Sequence, residues 1–197
     1  MHNIWFTSDL HIYHKNIINI GRQRFDSIEQ MNEEMLLNWN KCVRPEDEVY
    51  LLGDVSFTNA TRTAEFLNKL HGKIYLIRGN HDSDILKTPC IERFEWVKDI
   101  YYLKIQDPEG PDGKHQHIVL CHYPILSWQN IHYGSWMLHG HCHGTLGVDT
   151  TKKRHDVGVD NNFFKPVSYE RLKQIMSTRI FKPVDHHIPK QENGYNV

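Results

Sequence analysis

Up to residue 143 the chain is a series of short apolar runs, each ending in polar residues with useful chemistry. Ile4-Trp5-Phe6 leads to Asp9-Leu10-His11, Val49-Tyr50-Leu51-Leu52 to Gly53-Asp54, and Ile74-Tyr75-Leu76-Ile77 to Gly79-Asn80-His81-Asp82. Ile118-Val119-Leu120 leads to Cys121-His122, and Trp136-Met137-Leu138 to His139-Gly140-His141-Cys142-His143. Short β-branched and aromatic runs bounded by Gly or Asp are the pattern of buried strands. Between them the apolar period changes. Ile28, Met31, Met35 and Trp39 predict a helix from Ile28 to about Cys42, capped by Ser27, with Gln30 completing a capping box and Pro45 beyond its end. Further helices are expected over residues 14–20, after Thr58-Asn59 to near Leu70 with Gly72 as the stop, and over residues 168–176. Strand, helix, strand at this spacing means parallel pairing with a right-handed crossover.

The second half alternates differently. Residues 99–106 and 115–120 are strand-like and joined by a turn-rich stretch at 107–113, which predicts a hairpin. Residues 136–138 and 155–159 are expected to be short strands. Periodicity is lost after Lys182, so a single α/β sandwich domain is expected over residues 1–181, with 182–197 as a tail or surface strap.

A chain of 197 residues suits one domain with a proper core, and 39% hydrophobic with 24% charged residues argues against disorder. A formal net charge of -1 provides no field for tight non-specific nucleic-acid binding. No apolar stretch approaches the roughly 18 residues of a membrane span, and Asp9 comes too early for a secretory segment. No membrane partner is expected. Cys42, Cys90, Cys121 and Cys142 contain no close pair, so reduced thiols and a cytoplasmic location are expected. The sequence carries no signal for oligomeric state. The outlying figure is 15 histidines, several of them at the strand ends.

If those strands share a sheet, their ends converge where open α/β sheets place ligands. Asp9 and His11 can then lean toward one point. Asp54 follows Gly53, which lets the backbone approach a crowded ion, and its carboxylate can bridge two cations with one oxygen on each. Asn80 offers a carbonyl oxygen, and His122, His141 and His143 offer imidazole nitrogens. This mixed set suits Mn, Fe, Zn or Ni better than Mg or Ca, with manganese favoured. Singly, each motif has a plainer reading: Gly-Asp often opens a turn, and Gly-Asn-His-Asp reads as a turn with a helix cap. A structural zinc on Cys142 and Cys121 lacks a second close pair and leaves Asp9, Asp54 and Asn80 unexplained. Jointly, the motifs read as a two-metal hydrolytic site.

In this order Asp9-Leu10-His11, Gly53-Asp54, Gly79-Asn80-His81-Asp82, His122 and Gly140-His141-Cys142-His143 resemble the calcineurin-like metallophosphoesterase superfamily, over residues 9–143. The resemblance implies a four-layer α/β/β/α sandwich with a dinuclear site. One ion would be held by Asp9, His11, Asp54 and His143, the other by Asp54, Asn80, His122 and His141. More loosely, residues 156–162 and His14-Lys15-Asn16 look like a small bacterial and phage branch of predicted phosphoesterases. Val55-Ser56-Phe57-Thr58 stands where the Ser/Thr protein phosphatases continue Asp-Arg-Gly, and Asp82 where they carry Glu, which disfavours that branch. No extra domain of the kind the DNA-repair nucleases carry is expected.

The implied reaction is hydrolysis of a small phosphodiester or phosphomonoester, such as a nucleotide. A hydroxide shared by two cations about 3.5–4 Å apart would attack in line. His81 would assist the leaving group, and Asp82 would orient His81 or cap a following helix. The alternative is a nuclease on short or single-stranded ends, which would need a basic groove; a non-catalytic scaffold would tend to lose ligands. Expected substrate contacts are Arg22, Arg24 and Arg78, through bidentate bonds to phosphate, with His14 and Asn16 behind the first ligand pair. Asn161, Asn162, Phe163 and Phe164 are expected at the pocket edge, and Trp128, His132, Tyr133 and Trp136 as a platform for a base.

Overall fold

Each apolar run becomes a strand, and the strands build two sheets packed face to face. The computed structural model describes residues 2–180, so the expected tail at 182–197 lies outside the described residues. The first sheet contains β1 (Ile4–Thr7), β2 (Glu48–Leu51), β3 (Lys73–Ile77) and β4 (Phe94–Lys98), all parallel. The second contains β5 (Ile100–Gln106), β6 (His115–Cys121), β7 (Trp136–His139) and β8 (Arg154–Asp156), in the order β5-β6-β7-β8. The β5–β6 hairpin is antiparallel, and β6–β7 and β7–β8 are parallel. A two-residue β9 (Val167–Ser168) returns antiparallel to β1 and completes the first sheet as β4-β3-β2-β1-β9.

Alternation along the strands separates the layers. Val49, Leu51, Ile74 and Leu76 face Met31, Met35 and Trp39 of α2 (Ile28–Cys42) and Ala64 and Leu67 of α3 (Ala60–Leu67). Tyr50, Leu52 and Ile77 face the other way and pack with Ile118, Leu120, Trp136 and Leu138 of the second sheet. Tyr169, Leu172 and Met176 of the C-terminal helix (Tyr169–Ser177) join that central core. The outer face of the second sheet, Val119, Cys121 and Met137, is covered by Trp128 and Ile131 from a connection with one 3₁₀ turn at Ile131–Tyr133. The result is a single-domain α/β sandwich of two mixed sheets flanked by helices. Among the described residues no helix is long and apolar enough to cross a membrane.

Local chemistry explains the boundaries. Ser27 Oγ accepts the Gln30 N–H at 3.1 Å, and Gln30 Oε1 accepts the Asp26 N–H at 2.7 Å, one residue ahead of the cap. Such a cap contributes about 1 kcal/mol. The helix expected over 14–20 shrinks to α1 (Ile17–Ile20), because Tyr13 is left-handed (φ 64°) and Ile12 bridges to Ser56. The strand expected over 155–159 stops at Asp156; Gly158 bridges to Ser8 instead, and a 3₁₀ turn follows at Val159–Asn161. The first sheet is in level register, with Thr7 beside Leu51 and Leu51 beside Leu76, so three strands end together.

Candidate metal centre

The loops beyond those ends stay zipped after the strands stop. The Leu52 N–H donates to Thr7 O at 2.8 Å, Asp9 N–H to Gly53 O at 3.0 Å and His11 N–H to Asp54 O at 3.0 Å. In the second sheet the Gly140 N–H donates to His122 O at 3.0 Å. This zipper holds Asp9, His11, Asp54, His141 and His143 in the left-handed region, with φ between 45° and 69°. Non-glycine residues rarely adopt it, and such strain clusters at functional sites. Close backbone approach makes room for the carboxylates: a Cβ on Gly79 would sit 2.3 Å from Asp54 Oδ1, and one on Gly140 2.2 Å from Asp9 Oδ2.

All seven residues expected as ligands come together. Donor atoms of Asp9, His11 and His143 lie within 4.8 Å of one another, as do those of Asp9, Asp54 and His122. His11 Nε2 and His143 Nε2 are each 3.9 Å from Asp9 Oδ1. Asp54 Oδ2 is 3.6 Å from both His11 Nε2 and His122 Nε2, while its Oδ1 accepts the His81 N–H at 3.0 Å. One oxygen therefore faces both halves of the site, where the sequence reading gave each half its own. Asn80 Oδ1 lies 3.0 Å from His122 Nε2 and 3.0 Å from His141 Nδ1. Neither ligand group among the described residues includes a cysteine, and all four cysteines are free thiols.

Divalent cations fit this donor set. His122 Nδ1–H donates to Leu52 O at 2.7 Å and His143 Nδ1–H to Asp160 Oδ2 at 2.7 Å, which leaves both Nε2 lone pairs facing inward. Asn80 Oδ1 and His122 Nε2 then oppose acceptor to acceptor, an arrangement a cation relieves. Both nitrogens of His11 are buried without a partner. Burial, with Arg22 and the neighbouring histidines, pushes its pKa down to about 2, so the ring is neutral and free to ligate. Burial pushes the Asp9 carboxyl up to about 6, against the pull of His122 and His143. A buried carboxylate that is hard to ionise and an orphaned imidazole are costly unless a metal pairs with them.

Other expected residues have different places. Arg22 is 1% exposed: its guanidinium forks onto Asp160 at 2.8 and 2.9 Å and donates to the carbonyls of Leu10 and Asp9. It braces the Asp9 loop, and every donor facing inward is used, which corrects its assignment to substrate. Asp82, fully buried, accepts the N–H groups of Asp54, Val55 and Gly79 at 3.0, 2.9 and 2.7 Å. It ties two ligand loops together, with no helix after it and no hydrogen bond to His81. Arg78 turns to Asp99 at 2.7 Å, and Arg24 to Glu34. His14 stacks on Phe57 at 3.8 Å beside the centre, while Asn16 stands exposed just before the short 17–20 helix, its side chain making no capping hydrogen bond. Asn161 sits against Gly144, Asn162 donates to the carbonyls of Asp156 and Gly158, and Phe164 is in the core under Phe25; Phe163 is exposed. Trp128 and Trp136 are core rather than platform, whereas Tyr133, in ring contact with His132, is exposed.

Asp160 is the functional residue that the sequence reading missed. The hydrogen bonds from His143 and Arg22 outweigh burial and hold its pKa down at about 2. Its only sequence signal was its place in the 156–162 stretch. His81 is exposed at the rim, its ring 5.9 Å from that of His11 and 4.6 Å from that of Phe57.

The sequence model of the family described as calcineurin-like phosphoesterase matches residues 2–196. An uncharacterized protein of Methanocaldococcus jannaschii is 31% identical over 183 residues, covering 89% of this chain and 92% of its own. The gene 66 protein of Mycobacterium phage L5 is 28% identical over 183 residues, covering 81% of this chain and 87% of its own. Among solved structures, the protein of unknown function AQ665 from Aquifex aeolicus superposes with a TM-score of 0.66 at 26% identity, covering 89% of this chain and 100% of that one.

Proposed function

This chain belongs to the calcineurin-like phosphoesterase family, whose members hydrolyse phosphoric esters, and on that premise we propose that it hydrolyses a small phosphodiester or phosphomonoester of nucleotide type. Two divalent transition-metal ions, manganese for preference, serve as cofactors. Asp9, His11, Asp54 and His143 hold one, and Asp54, Asn80, His122 and His141 the other. The observation that carries this is the convergence of inward lone pairs on Asp54 Oδ2 and Asn80 Oδ1 from both sheets. When bound, the ions neutralise the phosphoryl oxygens and make a water nucleophilic near neutral pH.

The chain's own residues do the rest. His81 donates its backbone N–H to Asp54 Oδ1, so the carboxylate that unites the two halves also fixes where this side chain begins. Packed against Phe57 and open to solvent on the other side, its imidazole delivers a proton to the ester's leaving oxygen. Asp82 and Arg22 hold the ligand loops still while charge shifts. A small ester is favoured over a polynucleotide because Arg78 is paired with Asp99 and Arg22 is buried, so neither contributes to a basic groove.

A panel of chromogenic phosphate esters with added manganese tests the reading. Metal-dependent turnover is expected, with Asn80→Ala inactive; absence of metal-dependent turnover in the native chain would overturn it. Faster cleavage of labelled single-stranded oligonucleotides than of any small ester would replace the substrate class.

A further inference from the structure

A cavity of about 650 Å³ opens beside the metal centre on the side of His81. Asn80 and His81 form its inner end. One wall is the segment 56–61, which runs into the first turn of α3; the other carries Ser83, Asp84, Lys87 and Thr88. Ligand pockets commonly span about 300–1,000 Å³, so this space is far larger than a methyl group or a water requires. An ester whose leaving oxygen faces His81 finds room for the rest of its alcohol here.

The lining decides what that alcohol is. Lys87 and Asp84 are its two charged side chains of opposite sign; they lie 3.9 Å apart, both largely exposed, and offset one another. The lining therefore has no excess positive charge to draw in a second phosphate. Thr58, Thr61, Ser83 and Thr88 present hydroxyls, and Phe57 supplies an aromatic edge near His81. Both walls are preformed. Asn59 caps α3 by accepting the Arg62 N–H at 2.9 Å, and Asp82 anchors the root of the other wall through its three N–H partners.

We propose that this cavity is the leaving-group subsite and that it takes an uncharged, hydroxyl-bearing alcohol of nucleoside size; this rests on the phosphoesterase reading above. Water adds to phosphorus, the bond from phosphorus to the alcohol oxygen breaks, and His81 supplies the proton that makes the departing alkoxide a neutral alcohol. The proton released by the water restores His81, and phosphate and alcohol account for every atom.

Uridine titrated into the ¹⁵N-labelled full chain, loaded with zinc as a diamagnetic ion, is expected to shift the amide signals of residues 56–61 and 83–88. Thr61→Trp and Ser83→Trp, exposed positions on opposite walls, fill the space from either side. Each should raise KM for uridine 5′-monophosphate at least about tenfold, while calorimetric affinity for inorganic phosphate, which needs only the metals, stays at the native value. Uridine shifts mapping elsewhere, or nucleotide KM unchanged in both variants, would overturn the subsite alone. Absence of turnover with every ester and metal would overturn the phosphoesterase reading instead.

Discussion

Asp160→Asn probes the centre through a residue that is not itself a ligand. One carboxylate accepts Arg22 Nε at 2.8 Å, Arg22 Nη2 at 2.9 Å and His143 Nδ1 at 2.7 Å. An asparagine has one accepting oxygen: at the Oδ2 position it keeps Arg22 Nη2 and His143 Nδ1 and sets its N–H₂ against Arg22 Nε, and in the reverse orientation its N–H₂ meets both Nη2 and Nδ1, so a donor faces the guanidinium either way. Hydrogen bonds to charged groups are each worth about 1.5–3 kcal/mol, and orphaning a buried charge costs about 3–5 kcal/mol. Arg22 keeps the Leu10 and Asp9 carbonyls, so a loss near the lower figure, about 2–3 kcal/mol, is expected in denaturant unfolding of the metal-free protein. Losing a partner that orients a ligating histidine typically weakens metal binding about 10–100-fold, which titration calorimetry with manganese reads directly. The acid limb changes as well. Asp160 sits at about 2 against an ordinary 3.8, so its contribution is present above that ordinary value and lost as pH falls toward 2; the asparagine variant lacks this limb. Arg22→Lys is the control, since it keeps the charge but not the fork and should lower stability more than metal affinity. If Asp160→Ala, which leaves His143 Nδ1 no accepting oxygen in either orientation, unfolds more easily yet binds manganese as tightly as the native chain, Asp160 does not position His143.

Gly140→Ala puts a Cβ 2.0 Å from Ser8 Oγ and 2.2 Å from Asp9 Oδ2. It should cut metal affinity more than about tenfold in a chain whose circular dichroism is native; unchanged affinity refutes the crowding. His81→Ala should lower kcat on nucleotides by about 10²–10⁴ and far less on 4-nitrophenyl esters, whose leaving group needs no proton, and equal losses in steady-state kinetics would remove His81 from that role. Metal affinity should rise with pH through about 6, where Asp9 gives up its proton, and go on rising above 6.5, because the bond to Asp160 raises His143 above that ordinary value and it too gives up a proton to bind. His11, near 2, contributes no proton to that slope, and a flat profile in competition titrations below pH 6 would contradict the assignment. Without metal the two buried groups oppose each other. From 6.5 down to 2 the unfolded chain takes up a proton that native His11 refuses, which destabilises the fold in acid; between 3.8 and 6 native Asp9 binds the extra proton and stabilises it.

The elements that could be read from the sequence are those whose signal is local. The apolar period from Ile28 to Trp39 gives α2 directly, and the turn-rich 107–113 stretch gives the hairpin, because burial on one face imposes the spacing. β4 is invisible in the sequence: Phe94–Lys98 is separated from β5 by Asp99 alone, and the crossover from β3 holds only a 3₁₀ turn at Cys90–Arg93, not a helix that Asp82 could cap. β9 exists only through its pairing with β1. At the centre, residue type disclosed the seven donors but not their atoms or backbone. Nothing local says that His141 offers Nδ1 where His122 offers Nε2, or that Asp54 turns one oxygen to both halves. Arg22 reads as a substrate contact because the carboxylate that buries it lies 138 positions away, and Asp82 reads as a turn residue because its three partners are backbone groups from two separate loops.

Those distant partners explain how a strained site persists. Each left-handed non-glycine residue costs on the order of 1 kcal/mol or more, and five of the seven donor residues adopt that conformation. Facing acceptors and a carboxylate pushed up to about 6 add to the cost. Offsetting it are the backbone zipper between the β1 and β2 loops, the three N–H groups gathered by Asp82 and the two carbonyls gathered by Arg22. These bonds use backbone groups and two side chains outside the ligand set, and no metal-binding donor atom, so the geometry is assembled before any ion arrives, and binding energy is not consumed in ordering the loops. Removing a ligand subtracts one donor from a site that keeps its shape. Removing Asp82 loosens the Asp54 and Gly79-Asn80 loops together and should reach both metal positions, whereas Arg22 braces Asp9 and, through Asp160, His143, and a change in any ligand other than Asp54 falls mainly on one position.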